Sequence, residues 1–197
     1  MSFTLLTEKF HINGWGSLIF WAFMLAWVLS ELFVGKLGLN MGALHSDQGS
    51  AAIVVLGGLG GIAVGSFMAA LEWLPLDRRS LWLGLATMSA GLALRIFSIL
   101  YLGPMFTRFV QIVPGHRLVT SGPYRLVRHP SYSGLLLFFV GVGITLGDWL
   151  ALPALVILPL AAILYRVHVE EQALLSAFGS EYRGYMKRVR ALVPYLY

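Results

Sequence analysis

Two stretches carry side chains whose types and spacing could do chemistry. His116 to Tyr132, reading HRLVTSGPYRLVRHPSY, is the longest polar passage between hydrophobic runs. Pro123 and Pro130 each fix φ, remove a backbone donor and push the preceding residue towards extended geometry. The passage is therefore expected to be a shaped loop and turn lodged against a membrane, not one smooth helix. Further on, Arg166 and Glu170 are four apart, so on a helix they share a face. A planar guanidinium suits two-point capture of a carboxylate, but this spacing fits an ordinary ion pair at a helix exit at least as well. Arg95 stands in an apolar run, where a charge normally faces a protein interior or a polar cavity. It reads either as a cavity wall or as a structural partner for Glu31 or Glu72.

The elements that must position these groups are membrane helices. With 58% hydrophobic and 12% charged residues and a mean hydropathy of +0.78, the chain fits an integral membrane protein and not a soluble domain. It has no cysteine, which excludes disulfides, thiolate metal sites and a cysteine nucleophile. The net charge of +5 comes from basic residues that flank apolar spans, the pattern of membrane topology, so no nucleic-acid partner is expected. The histidines are scattered without an H-x-x-x-H pair or an acidic cluster of ligand spacing, so no metal site is expected either.

Taken in order, residues 1–14 are a polar lead and Gly16 to Gly35 is long enough to cross a bilayer. That run is too long and starts too late for a signal peptide. Lys36 to Ser50 is a loop, and Ala51 to Leu74 is a second span. Its Gly57, Gly61 and Gly65 have the spacing of close helix packing; without a preceding strand, GGLGG is not a dinucleotide loop. A tight turn from Pro75 to Ser80 leads to a third span, Leu81 to Gly103. After the Pro104–Ser131 loop, Tyr132 to Tyr165 reads as a helical hairpin turning near Gly147–Asp148, its second limb kinked at Pro153 and Pro159. Arg166 to Val189 then leaves the membrane as an amphipathic helix broken around Gly179, with Tyr182 and Tyr185 pointing back.

The expected fold is an all-α integral membrane protein with about five transmembrane helices and a single domain over 1–197. Residues 1–103 supply N-terminal helices and 104–197 a core. With the N-terminus outside, Lys36, Arg108, Arg117, Arg125, Arg128, Arg166, Arg183, Lys187, Arg188 and Arg190 fall inside, and Lys9, Arg78 and Arg79 outside. This asymmetry puts the central loop and the C-terminal helix together on the cytoplasmic face.

Those two stretches resemble the C-terminal half of the isoprenylcysteine carboxyl methyltransferase family, whose pattern is close to H-x-L-V-x-x-G-x-Y-x-x-x-R-H-P-x-Y. Here it is met by His116, Leu118, Val119, Gly122, Tyr124, Arg128, His129, Pro130 and Tyr132. A second block follows in Glu170-Glu171, Phe178-Gly179, Tyr182 and Tyr185. The resemblance covers roughly residues 100–197. It implies a membrane methyltransferase that uses S-adenosylmethionine and methylates the carboxylate of a lipid-like, prenylcysteine-type substrate. More distant relatives methylate small thiols or phospholipid amines. A carboxylate is already ionised at neutral pH, so orientation can supply much of the rate with no obligatory general base.

By the same resemblance, Arg166 is linked to substrate and Glu170 to the cofactor, and these two are the catalytic candidates. Cofactor contacts fall to His116, Arg117, Leu118, Val119, Tyr124, His129, Pro130, Ser131 and Tyr132. Gln111 stands for a family glutamine, although its spacing to His116 is shorter here. Arg188 matches a C-terminal arginine on the substrate side, with Arg190 an equal rival. Apart from the resemblance, which does not reach it, Arg95 between the spans would line the groove for a lipid tail. Glu171 takes a lesser role, and Arg128 ties the loop to the C-terminal helix. The expected partners are the bilayer and an amphiphilic or prenylated small substrate; the oligomeric state stays open. NADPH-dependent membrane sterol reductases share the R-H-P-x-Y turn and a proline–aromatic tail like Pro194-Tyr195-Leu196-Tyr197, but are much longer. A small channel or assembly factor would explain the spans, yet gives no reason for polar residues to crowd one loop.

Overall fold

A computed structural model describes residues 15–36, 47–77, 79–106 and 117–194. Among them the chain forms helices α1 (Trp15–Lys36), α2 (Ser50–Ala69), α3 (Ser80–Leu102), α4 (Pro130–Leu146) and α5 (Ala151–Arg188), with no β-strand. α2, α3 and α5 are long and apolar enough to cross a membrane; α4 and the Leu18–Glu31 part of α1 are shorter apolar helices. The second helix ends five residues before the expected Leu74. Glu72 turns at a positive φ of 52°, and the Leu74 amide donates to the Asp148 carboxylate at 3.0 Å. Asp148 is buried and also caps the amide of Leu150 at 2.7 Å. One acidic side chain thereby joins the end of α2 to the α4–α5 turn.

Glycines set how closely these helices approach. Gly57 lies on Ala162 and the Leu158 carbonyl, Gly61 on the Pro159 ring, and Gly65 on Leu155. The predicted small-residue face of α2 is thus its contact with an antiparallel α5. The α3–α4 crossing is tighter still. A Cβ at Gly91 would stand 2.4 Å from the Phe138 amide nitrogen, and one at Gly134 2.7 Å from that of Arg95. α1 is held on through Trp27, whose ring stacks on Phe138 at 5.9 Å and meets Phe139 edge-on at 5.5 Å.

At 38 residues, α5 would be about 57 Å long, well beyond a hydrocarbon core of about 30 Å. Its polar part from Arg166 onward leaves the membrane, and the expected break is present at Gly179 (φ 50°, ψ −116°). The chain keeps helical dihedrals at Pro153 and Pro159, where kinks were expected. Pro153 lies in the first turn, whose amides have no helical partner to lose.

Helix directions put the start of α1, the end of α2, the start of α3 and the α4–α5 turn at one end of the bundle. Exposed Trp15, Trp73, Trp82 and Trp149 sit there, the placement of an interfacial aromatic belt. The polar stretches gather at the opposite end.

Candidate active site

The polar loop is shaped by two residue types doing different work. Gly122 adopts φ 57°, and a Cβ on it would come within 2.4 Å of the Tyr101 ring, so both its conformation and its space demand glycine. Pro123 then starts a 3₁₀ turn over Gly122–Arg125, and Pro130 opens α4 behind His129 as its N-cap residue. Tyr124 points into the bundle and donates to the Ser98 carbonyl at 3.2 Å. Burial, reinforced by the Glu170 charge, pushes its hydroxyl well above the usual tyrosine range, so it stays a neutral donor.

The end of the chain fastens onto this loop. Arg128 N donates to Arg190 O at 2.7 Å and His129 N to Ala191 O at 2.9 Å, while Ser133 Oγ donates to Leu192 O at 2.6 Å. Arg128 also donates from Nη1 to the Val189 carbonyl. Tyr182 and Tyr185 do point back, both buried. The Tyr185 hydroxyl donates to the Tyr124 carbonyl, and burial pushes Tyr185 up to about 12 against the opposing Arg128 charge.

Two adjacent carboxylates on α5 meet this assembly in different ways. Glu171 accepts from Arg128 Nε at 2.8 Å and pairs with its Nη2 at 2.7 Å. It also meets His129 Nε2 at 3.1 Å and the Tyr182 hydroxyl at 3.4 Å. Burial alone would raise its pKa, but the His129 hydrogen bond and charge, together with Arg128, hold it below the usual carboxylate range. Glu170, by contrast, takes one hydrogen bond among the described residues, from the Tyr132 hydroxyl at 3.0 Å, and its side chain is 32% exposed. His129 Nδ1 stands 3.8 Å from it, and the His129 ring stacks on Tyr132 at 5.8 Å.

Arg166 and Glu170 form no direct ion pair; the Tyr132 hydroxyl stands between them, accepting from Arg166 Nε at 2.9 Å. On its other side, Arg166 Nη1 meets the Asp47 carboxylate and Ser50 Oγ at 2.6 Å. A hydrogen-bonded line therefore runs from Asp47 and Ser50 at the start of α2, through Arg166 and Tyr132, to the part-exposed Glu170. Deeper in the bundle, Arg95 pairs with Glu31 at 2.6 Å and donates to Ser131 Oγ at 3.0 Å. Of the two roles open to Arg95, the geometry gives it the partnership with Glu31, bracing the first turn of α4.

The other candidates are placed unevenly. Tyr124, His129, Pro130, Ser131, Tyr132, Arg166 and Glu170 come together at this end. Arg117, Leu118 and Val119 run as exposed or half-buried irregular chain. Arg188 is exposed and donates from Nε to its own turn, at Gly184 O, apart from the cluster. Gln111 and His116 lie outside the described residues.

Comparison with known proteins bears directly on this arrangement. The isoprenylcysteine carboxyl methyltransferase family model matches residues 82–176. Protein-S-isoprenylcysteine O-methyltransferase B of Arabidopsis thaliana is 32% identical over 140 residues, which are 68% of this chain and 71% of that one. The chain belongs to the isoprenylcysteine carboxyl methyltransferase family. The Tribolium castaneum protein-S-isoprenylcysteine O-methyltransferase is 35% identical over 116 residues, 58% of this chain and 41% of the other. Among solved structures, that of the eukaryotic intramembrane Ras methyltransferase (isoprenylcysteine carboxyl methyltransferase) superposes with a TM-score of 0.61 at 25% identity. It covers 98% of this chain and 72% of its own. The likeness thus reaches the N-terminal helices, further than the roughly 100–197 expected from motifs. The protein is a multi-pass membrane member of a methyltransferase family.

Within this family member, sequence reasoning missed Asp47 and Ser50. The available signal was an acidic side chain just ahead of an apolar helix, whose first amides are unpaired; Asp47 Oδ2 indeed accepts from Ala51 N at 3.0 Å. The backbone carbonyls of Arg190, Ala191 and Leu192 gave no signal, because any residue type supplies them.

Proposed function

We propose that this protein transfers a methyl group from S-adenosylmethionine to the carboxylate of a prenylcysteine-type amphiphile at the cytoplasmic face of the membrane. The observation that carries the reading is the Arg166–Tyr132–Glu170 line, which sets a guanidinium and a part-exposed carboxylate on either side of one hydroxyl. The donor set fits such a cofactor. One Glu170 oxygen accepts no hydrogen bond among the described residues and can take an ammonium, and the stacked His129 and Tyr132 rings pack beside it. When bound, the cofactor supplies an electrophilic methyl group on a positively charged sulfur.

The chain's own groups then bind, orient and exclude water. Glu170 would hold the cofactor's amino group, and Tyr132 keeps that carboxylate from turning towards Arg166. Arg166, 4% exposed where α5 leaves the hydrocarbon, would orient a carboxylate arriving from the lipid. No side chain need remove a proton, because the acceptor is ionised at neutral pH; catalysis rests on proximity and orientation. What supports the cytoplasmic assignment is the gathering of Lys and Arg at this end (Arg117, Arg125, Arg183, Lys187 and Arg188 among them) opposite the tryptophan belt.

The test is incubation of the purified protein with radiolabelled S-adenosylmethionine and a prenylated cysteine bearing a free carboxylate. Matched thiol and phospholipid-amine acceptors are run beside it. Label is expected as a base-labile ester on the carboxylate. Label on the thiol or amine alone, or calorimetric binding of NADPH instead of S-adenosylhomocysteine, would refute the proposal.

A further inference from the structure

The Arg166 guanidinium does not stand ready as a bare cation. Its Nη1 meets the carboxylate of Asp47, which is 2% exposed, and the hydroxyl of fully buried Ser50. Its Nε is engaged with Tyr132. Two-point capture of an incoming carboxylate by an unopposed arginine is therefore not what this site is built for. We propose that Asp47 is a positioning residue that balances the charge of Arg166, so that the arginine orients the acceptor carboxylate by hydrogen bonding while stabilising its negative charge far less than an unopposed cation would.

This inference rests on the carboxylate methyl-transfer reading above, and that chemistry supplies its reason. As the new oxygen–carbon bond forms, the carbon–sulfur bond breaks and its electron pair stays on sulfur. The negative charge of the acceptor and the positive charge of the donor both vanish. An unopposed cation beside the acceptor would stabilise the starting carboxylate more than the transition state, tightening binding while slowing transfer. A buried counter-charge removes that penalty and leaves the directional N–H groups in place. Glu170, beyond Tyr132, places a second negative charge near Arg166; the amino group of a bound cofactor would offset that charge, leaving Asp47, in direct contact, as the counter-charge.

Asp47→Asn removes the charge and keeps the shape, and binding is measured calorimetrically with S-adenosylhomocysteine present, so that no turnover occurs. The carboxylate ligand is expected to bind about ten- to hundredfold tighter, the scale of one unit charge removed about 6 Å away at an effective dielectric near 20–40. The neutral methyl ester should bind unchanged. In turnover, KM and kcat for the carboxylate should both fall, and Asp47→Glu should restore both. A structural role alone would weaken carboxylate and ester binding together. Should Asp47→Asn fail to fold, the wild-type protein still decides: it is expected to prefer the carboxylate over its carboxamide by less than about tenfold, where an unopposed buried arginine would exceed that. Unchanged or weaker carboxylate binding in the variant, or strong wild-type discrimination, overturns the inference. Absence of methyl transfer to the carboxylate in the wild type would instead sink the functional reading itself.

Discussion

Glu170 and Glu171 are neighbours in sequence with opposite surroundings, so neutralising each in turn should separate ligand binding from folding. Glu171 draws two contacts from Arg128, at 2.8 Å and 2.7 Å, with side-chain exposures of 14% and 9%. A hydrogen bond to a charged group contributes about 1.5–3 kcal/mol, and breaking a buried ion pair costs about 3–5 kcal/mol. Residual solvent access lowers that cost, as does the continued hold of Arg128 on the Val189 carbonyl. Glu171→Gln should therefore destabilise the fold by about 2–3 kcal/mol. Among the described residues Glu170 takes one hydrogen bond, from a hydroxyl, with His129 Nδ1 at 3.8 Å and a third of its side chain exposed, so Glu170→Gln should change stability by less than about 1 kcal/mol.

Ligand binding should reverse that order. Loss of an ammonium–carboxylate hydrogen bond of about 1.5–3 kcal/mol weakens binding by about ten- to hundredfold. Thermal melts in detergent, followed by calorimetry with S-adenosylhomocysteine, read both quantities on the same preparations. Glu171→Gln should melt several degrees lower yet bind near normally well below its melting temperature. Glu170→Gln should melt like wild type and bind poorly. Equal melting of the two variants, or wild-type affinity in Glu170→Gln, would refute the division of labour drawn from their contacts.

Three other perturbations probe the frame around the pair. Tyr132→Phe removes the hydroxyl between Arg166 and Glu170 and leaves a buried donor without its acceptor, at about 1–3 kcal/mol; methyl transfer should fall at least about tenfold in steady-state assays. Gly91→Ala places a methyl group 2.4 Å from the Phe138 nitrogen and 2.6 Å from the Gly134 carbonyl oxygen. α3 and α4 must then part, for an expected loss of about 1–3 kcal/mol read as a lower melting temperature. Acid should loosen the C-terminal fastening through Glu171. Its folded pKa lies below the ordinary 4.5, so its stabilisation is complete above that pH and lost as pH falls further through the folded value. Proteolysis of the C-terminal segment should rise there in the wild type and show a flatter pH dependence in Glu171→Gln.

What the sequence disclosed, and what it hid, follows from the range of each interaction. Helix positions, the Gly57–Gly61–Gly65 face and the break at Gly179 were legible because each is written within a few consecutive residues. The hairpin turn at Gly147–Asp148 was legible for the same reason. The opposite was true of the Arg166 environment. Spacing put Glu170 on its face, and the ion pair was the obvious expectation; the structure interposes Tyr132, which precedes Arg166 by 34 residues, and supplies Asp47 from 119 residues away. No local pattern distinguishes an arginine that awaits a ligand from one already opposed by a distant carboxylate. On the proposed reading that difference would decide the chemistry: an unopposed guanidinium would select its acceptor by charge, whereas an opposed one would select by direction. The same length and polarity of helix exit can therefore host either kind of site, and on the reading proposed above Asp47, just ahead of a different helix, would set which one this protein has.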